Sequence, residues 1–275
     1  MPSTRVVDFY DRHPIDEGQI LDALRRRGVE PAQARPDDLF DLDQDHYGGP
    51  AAVQALARRA AVGPASRVLD VCAGLAGPAR FLAATIGCRV VGLELHPGRA
   101  AAARRLTRLV GLEKQVAVTQ GDATALPFGA GAFDACISEE GLLHVPDKAA
   151  VLAECHRVLR PGGRLAFTDW VALPRLADRE RTRLWEWMAA TTLQTSDGYR
   201  ARLGRAGFGA IAVEDLSHEW RPVLAARLQM YRALAPATIA RFGERWHREY
   251  TDVYAFFVAL VEAGKLGGAR FSATR

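Results

Sequence analysis

The stretch that most constrains this chain runs from Arg67 to Leu82, RVLDVCAGLAGPARFL. An apolar run ends on an acid, passes through a glycine-containing turn and opens onto a helical pattern. Such a strand–turn–helix unit brings main chain against a nucleotide-type ligand, because glycine allows close backbone approach and the helix start presents unpaired N–H groups. The position of the acid narrows the ligand. In dinucleotide-binding proteins the turn reads GxGxxG and the acid lies about twenty residues on. Here GxGxxG is absent and Asp70 sits on the strand itself.

Further segments follow in order. A second strand, VVGLE, ends on Glu94, and Val116 to Gln120 runs into Gly121-Asp122-Ala123-Thr124-Ala125-Leu126-Pro127-Phe128. Phe133 to Ser138 forms a fourth strand, and Leu159-Arg160-Pro161-Gly162-Gly163 leads into a fifth from Arg164 to Trp170. Asp70, Gly74, Gly77 and Glu94, with the GDAxxLPF and RPGG segments after them, resemble class I S-adenosylmethionine-dependent methyltransferases over residues 67–170. The resemblance implies an α/β, Rossmann-like sheet of seven strands with the last antiparallel, and S-adenosyl-L-methionine as cofactor. It also implies that the backbone around Ala73 and Gly74, with Asp70 and Gly77, meets the cofactor's amino-acid tail. Glu94 and Leu95 would meet the ribose, Asp122 and Ala123 the adenine, while Ser138 and Glu139 complete the site. Two positions depart from the family's DxGxGxG loop, where this chain has Cys72 and Ala76. Alanine is tolerated there if φ stays negative, so a slightly altered loop is expected.

Parallel strands joined by helices put their ligands at the strands' carboxyl ends. Asp70, Glu94, Asp122 and Ser138 all fall there, as a consequence of the strand assignment. Residues 1–50 read as a helical segment ending in a substrate loop, 51–171 as the cofactor-binding core, and 172–275 as helical lid elements carrying the last two strands. The strands in that last part are Ala210 to Asp215 and Ala269 to Ala273, the latter preceded by Gly267-Gly268. Helical patterns at 222–234, 236–247 and 249–263 separate them. An insertion this long and aromatic argues for a lid over the substrate; a surface for homodimer formation is the other reading.

Composition excludes several classes. The formal charge of +4 comes from 36 basic residues, only three of them Lys, with no basic stripe interleaved with aromatics, so nucleic acid is not the expected partner. No apolar run approaches bilayer length and the N-terminal MPSTRVVDFYDRH lacks a signal core, so a cytoplasmic location without membrane contact is expected. Cys72, Cys88, Cys136 and Cys155 lack metal-ligand spacing and read as reduced thiols; no metal is expected.

The acceptor side rests on two segments, DLDQDHYGG before the core and SEEGLLH after the fourth strand. Together they resemble small-amine N-methyltransferases of the phosphoethanolamine and sarcosine/dimethylglycine types. That resemblance implies a pair, Tyr47 and His144, over the reacting amine, with Glu140 nearby. Methyl transfer needs a free lone pair, so His144 would take the proton. Trp170 and Trp185 could hold a cation through their ring faces, and Arg179, Arg181 and Arg183 a phosphate. The expected function is therefore methyl transfer to a small molecule, most readily the nitrogen of a small amine or amino acid. O- or C-methyl transfer in specialised metabolism is the main rival, and a non-catalytic cofactor-binding scaffold the second.

Overall fold

The computed structural model describes residues 2–275, with side chains from Arg5 onward. Seven strands form one sheet: β1 (Arg67–Val71), β2 (Arg89–Glu94), β3 (Val116–Gln120), β4 (Phe133–Glu139), β5 (Leu159–Ala172), β6 (Gly209–Asp215) and β7 (Leu266–Thr274). Their order is β3-β2-β1-β4-β5-β7-β6. The first five pair in parallel, and β7 lies antiparallel between β5 and β6. This is the expected Rossmann-like methyltransferase sheet. Chain order reverses between β1 and β4, and the crevice beyond their carboxyl ends is where such sheets bind ligands.

An N-terminal group holds α1 (Pro2–Asp11), α2 (Glu17–Arg26), the short α3 (Pro36–Leu39) and α4 (Gly49–Arg59). The crossovers contribute α5 (Gly77–Ile86), α6 (Pro97–Leu109) and α7 (Lys148–Val158). Beyond β5 come α8 (Asp178–Met188), α9 (Ser196–Arg205), α10 (Ser217–Ala233), α11 (Ala235–Phe242) and α12 (Glu244–Glu262). One buried cluster lies under α2, α4, α5 and α6, including Leu24, Leu56, Leu82 and Leu106. A second lies under α7 and α9 on the opposite face, including Leu152, Phe167, Tyr199 and Phe271. The inserted helices share a third with the sheet's edge, built on Trp170, Trp220, Leu224, Tyr254 and Phe257. They are thereby docked on the sheet by buried apolar surface.

Three boundaries differ from expectation. Gly267 and Gly268 lie inside β7 rather than before it, because α10 packs so closely that a Cβ on Gly268 would stand 2.4 Å from the Trp220 ring. Helix α10 begins at Ser217, ahead of the 222–234 pattern, with Pro222 inside it. Gly243, at φ 89°, divides the 236–247 pattern into the end of α11 and the start of α12.

The loop before α4 is pinned from below. Arg80 of α5, 1% exposed, donates from Nε and Nη2 to Asp43 Oδ2 at 3.1 and 2.8 Å and from Nη1 to Thr107 Oγ1 at 3.1 Å. A Cβ on Gly77 would lie 2.3 Å from the Asp43 carbonyl oxygen, so the first residue of α5 is glycine to admit this loop.

Candidate active site

A cavity of about 410 Å³ opens over the carboxyl ends of β1, β2 and β4. Asp70, Ala73, Gly74, Glu94, Leu95, Asp122, Ala123 and Glu139 line one side of it, and Tyr47, Glu140 and His144 another. Ser138 and Gly77, expected to meet the cofactor, are not among its lining residues. Ser138 is buried and its hydroxyl donates to the Val71 carbonyl at 2.7 Å, stitching β4 to β1, while Gly77 serves the loop contact above.

The turn after β1 keeps a glycine-like path with glycine at only one of three positions. Cys72, Gly74 and Ala76 have φ of 63°, 55° and 59°. The expectation of a negative φ at Ala76 is thus overturned. For an L-residue the left-handed conformation costs roughly 1–2 kcal/mol, and here the surroundings enforce it. Glu94 Oε2 accepts from the Gly74 N–H and its Oε1 from the His96 N–H, both at 2.8 Å. Thus the acid closing β2 shapes the turn after β1, and two backbone bonds leave further lone pairs on its carboxylate.

Two other carboxylates are orphaned. Asp70 Oδ2 and both oxygens of Glu139 are buried without a partner. Burial, then the charge of Glu94, pushes Asp70 up to about 8 against the pull of Arg80. Burial, with Glu140 and Asp70 adding, holds Glu139 well above the usual carboxylate range. The imidazole of His46 stands 3.4 Å from Glu139, but burial lowers it to about 4 and its Nε2 already meets Gln44 at 2.6 Å. Buried carboxylates without a counter-charge fit a ligand bringing an ammonium and a sulfonium. Asp122, exposed and with Oδ1 taken by Thr124, keeps Oδ2 free at the cavity's far end.

On the acceptor side, His144 ends a short turn, Leu142–His144. Its Nδ1 lies 3.2 Å from the Ala189 carbonyl, so Nδ1 carries the proton, and the bare Nε2 accepts from the Tyr10 hydroxyl at 3.0 Å. Burial lowers His144 to about 4. The partner of His144 is thus Tyr10 of α1, not Tyr47 as expected. Tyr47 bonds instead with the Tyr254 hydroxyl at 3.1 Å and packs against Trp170 and Trp220, with ring centroids at 5.4 and 4.9 Å.

Glu140, at φ 46°, is a strut: Oε2 accepts from the Tyr47 N–H at 2.8 Å and Oε1 from the Thr168 hydroxyl. Burial raises it to about 7. Trp170 reaches the cavity, whereas Trp185 lies outside it under the Arg5 guanidinium at 4.7 Å. Arg179, Arg181 and Arg183 are not among the lining residues; Arg183 stacks on Trp187 at 3.9 Å.

Several lining residues escaped the sequence reading: Tyr10 of α1, His13 of the loop that follows it, Arg99 of α6, Tyr231 of α10, and Tyr250, Tyr254 and Phe257 of α12. Spacing of four and three along α12 was a readable signal of one aromatic stripe. Arg99 ties the parts together, with Nη2 on Asp45 at 2.8 Å and its guanidinium 4.6 Å over the Tyr10 ring. It is the only Lys or Arg among the described lining residues. No group of His, Cys, Asp and Glu suited to a metal occurs among the described residues, and no helix there is long and apolar enough to cross a membrane.

An acid at successive strand ends, around the reversal point of this sheet, is the arrangement expected of an adenosyl-cofactor site. A sequence profile of the methyltransferase domain matches residues 69–167. Methyltransferase GfsG of Streptomyces halstedii is 31% identical over 270 residues, covering 96% of this chain and 95% of that protein. The glycine/sarcosine/dimethylglycine N-methyltransferase of Actinopolyspora halophila is 37% identical over 171 residues, 62% of this chain but 30% of that protein's length. Phosphoethanolamine N-methyltransferase 2 of Haemonchus contortus, solved with S-adenosylhomocysteine, superposes with a TM-score of 0.78 at 20% identity over 98% of this chain and 60% of that one. The chain belongs to the S-adenosylmethionine-dependent methyltransferases, and S-adenosylmethionine is its methyl donor.

Proposed function

We propose that this enzyme methylates a hydroxyl oxygen of an uncharged, largely apolar small molecule. One observation carries the reading: the acceptor side combines apolar and aromatic walls with a neutral Tyr10–His144 pair, and among the described residues the one cation lining it, Arg99, is already ion-paired with Asp45. Phe9, Leu143, Met188, Val253 and Phe257 supply the walls. Arg99 has Nη2 on Asp45 and Nη1 on the Ile15 carbonyl, with only its Nε left without a partner, and Arg227 of α10 donates to the His46 carbonyl at 2.9 Å. A carboxylate or phosphate on the acceptor would meet Asp45, Glu139 and Glu140 instead of a counter-charge. This disfavours amino acids and phosphobases, which the sequence resemblance suggested.

The bound cofactor supplies an electrophilic methyl group. Asp70 and Glu139 would receive its ammonium, Glu94 the ribose hydroxyls, Asp122 and the Ala123 amide the adenine, and Leu95 an apolar face. The acceptor hydroxyl loses its proton toward His144 Nε2, directly or through Tyr10, as its oxygen forms the new bond. Since His144 is held to about 4, Nε2 is already free at neutral pH. The Ala189 carbonyl fixes the tautomer that makes this possible.

A second reading, methylation of a small amine's nitrogen, is favoured by the ring faces of Tyr47, Trp170, Tyr231 and Tyr254, which suit an ammonium. The regional likeness to the sarcosine/dimethylglycine enzyme supports it too. Release of S-adenosylhomocysteine across matched apolar alcohols and phenols, their amine counterparts, sarcosine and dimethylglycine tests the choice. Turnover on hydroxyl compounds is expected; turnover confined to amines would overturn the oxygen reading.

A further inference from the structure

Lys148, the first residue of α7, is 2% exposed and does not line the cavity. Its ammonium donates to the Val145 carbonyl at 2.6 Å, the Thr192 hydroxyl at 2.8 Å and the Leu143 carbonyl at 3.4 Å. Leu143 and Val145 are the residues on either side of His144. The segment after α8 completes the clamp. Thr191 donates from its N–H and hydroxyl to Leu143 O at 3.1 and 3.2 Å, and Thr192 from its hydroxyl to Pro146 O at 3.1 Å. Ala189, which accepts from His144, sits at φ 50°, a strained conformation for alanine held by this framework.

A buried ammonium is costly, and an apolar side chain of similar size would fill the volume at less expense. Among the described residues Lys148 has no carboxylate in salt-bridge contact. Asp169, the acid whose charge acts on it most, is occupied by the Tyr199 hydroxyl and the Trp170 N–H. The ammonium is thus devoted to the turn that carries the imidazole.

We propose that Lys148 is a positioning residue for methyl transfer: by tying the carbonyls on both sides of His144, it aims Nε2 at the acceptor. The inference rests on His144 being the base. The charge acts in the same sense, for Lys148 and His13 of the loop after α1 oppose a proton on His144 while Asp45 favours one. Tyr10 of α1 is the other titratable group against the ring. Around Lys148 itself stand Asp169 of β5, Cys72 of the turn after β1 and Arg202 of α9.

The test is Lys148→Met in the wild-type and His144→Ala backgrounds, reading kcat against pH and cofactor affinity. Expected in the wild type are a loss in kcat of tenfold or more, cofactor affinity within twofold, and an acidic limb of kcat displaced to higher pH. In the His144→Ala background the substitution should cost nothing further. Wild-type kcat and pH profile in Lys148→Met, or a full additional loss beside His144→Ala, would overturn the proposal. If His144→Ala itself keeps wild-type turnover, the base assignment has failed, and the clamp's purpose with it. Should Lys148→Met not fold, Thr192→Val, which removes one anchor, carries the test. A severalfold loss in kcat with intact cofactor affinity supports the clamp, and an unchanged kcat overturns it.

Discussion

The two sides of the cavity are built in different ways. The cofactor side is assembled from the first residues after consecutive parallel strands, so each contributing group lies within a few positions of a strand end. The acceptor side draws Tyr10 from α1, Tyr47 from the loop before α4, His144 from beyond β4 and Tyr254 from α12, positions as far apart as the chain allows. The first side is polar and shaped by backbone contacts, as where Glu94 grips the Gly74 amide. The second is aromatic and shaped by side-chain packing. On the roles proposed above, binding of the methyl donor and choice of the acceptor fall to separable groups.

Substitutions can break or sharpen that separation. His144→Ala should lower turnover about 10²–10⁴-fold, the range for losing a general base, while cofactor affinity stays within twofold by calorimetry. An equal loss in both would show the two sides to be one. Glu94→Ala should do the reverse, weakening cofactor binding tenfold or more, on the scale of about 1.5–3 kcal/mol for a charged hydrogen bond. Its kcat at saturating cofactor should fall far less.

The pH dependences should also separate. Asp70 has a raised value of about 8 without ligand, so below that pH its carboxyl is protonated and must release its proton to receive an ammonium. Cofactor affinity is therefore expected to rise with pH by up to tenfold per unit and level off above pH 8. Titrations at several pH values, with proton release measured alongside, check this; a flat affinity from pH 6 to 8 would contradict it. His144, lowered to about 4, should leave kcat without an acidic limb at pH 5 to 8.

The smallest effect concerns strain on the cofactor side. Replacing Cys72 or Ala76 by glycine trades a left-handed cost of roughly 1–2 kcal/mol against glycine's greater unfolded-state entropy of about 0.5–1 kcal/mol. Each is expected to raise the melting temperature by about 2 °C. A lower melting temperature would mean that the Cβ contacts outweigh the backbone strain.

The same contrast explains what the sequence disclosed. Strands β1 to β4 and the acids closing them were readable because local spacing encodes both. The loop's backbone was not, since only neighbouring structure forces Cys72 and Ala76 to positive φ. Tyr47 was named on the resemblance of its loop to that of the small-amine enzymes, a likeness of sequence that carries no information on which side chains meet. The pairing of His144 with a residue 134 positions away depends on how α1 docks, which no local pattern records. Gly268 was placed before the last strand because its reason for being glycine, the Trp220 ring pressed on β7, lies nearly fifty residues earlier. Long-range packing was thus the common source of error.

The most direct test of the account is where the methyl group goes. Reaction with S-[¹³C-methyl]adenosylmethionine and a turned-over acceptor, followed by carbon NMR of the product, distinguishes a methyl on oxygen from one on nitrogen or carbon. An oxygen-bound methyl, formed by the wild type and lost with His144→Ala, is the predicted result. A nitrogen-bound methyl, from an acceptor carrying its own carboxylate or phosphate, would contradict the neutral and apolar character assigned to the acceptor side.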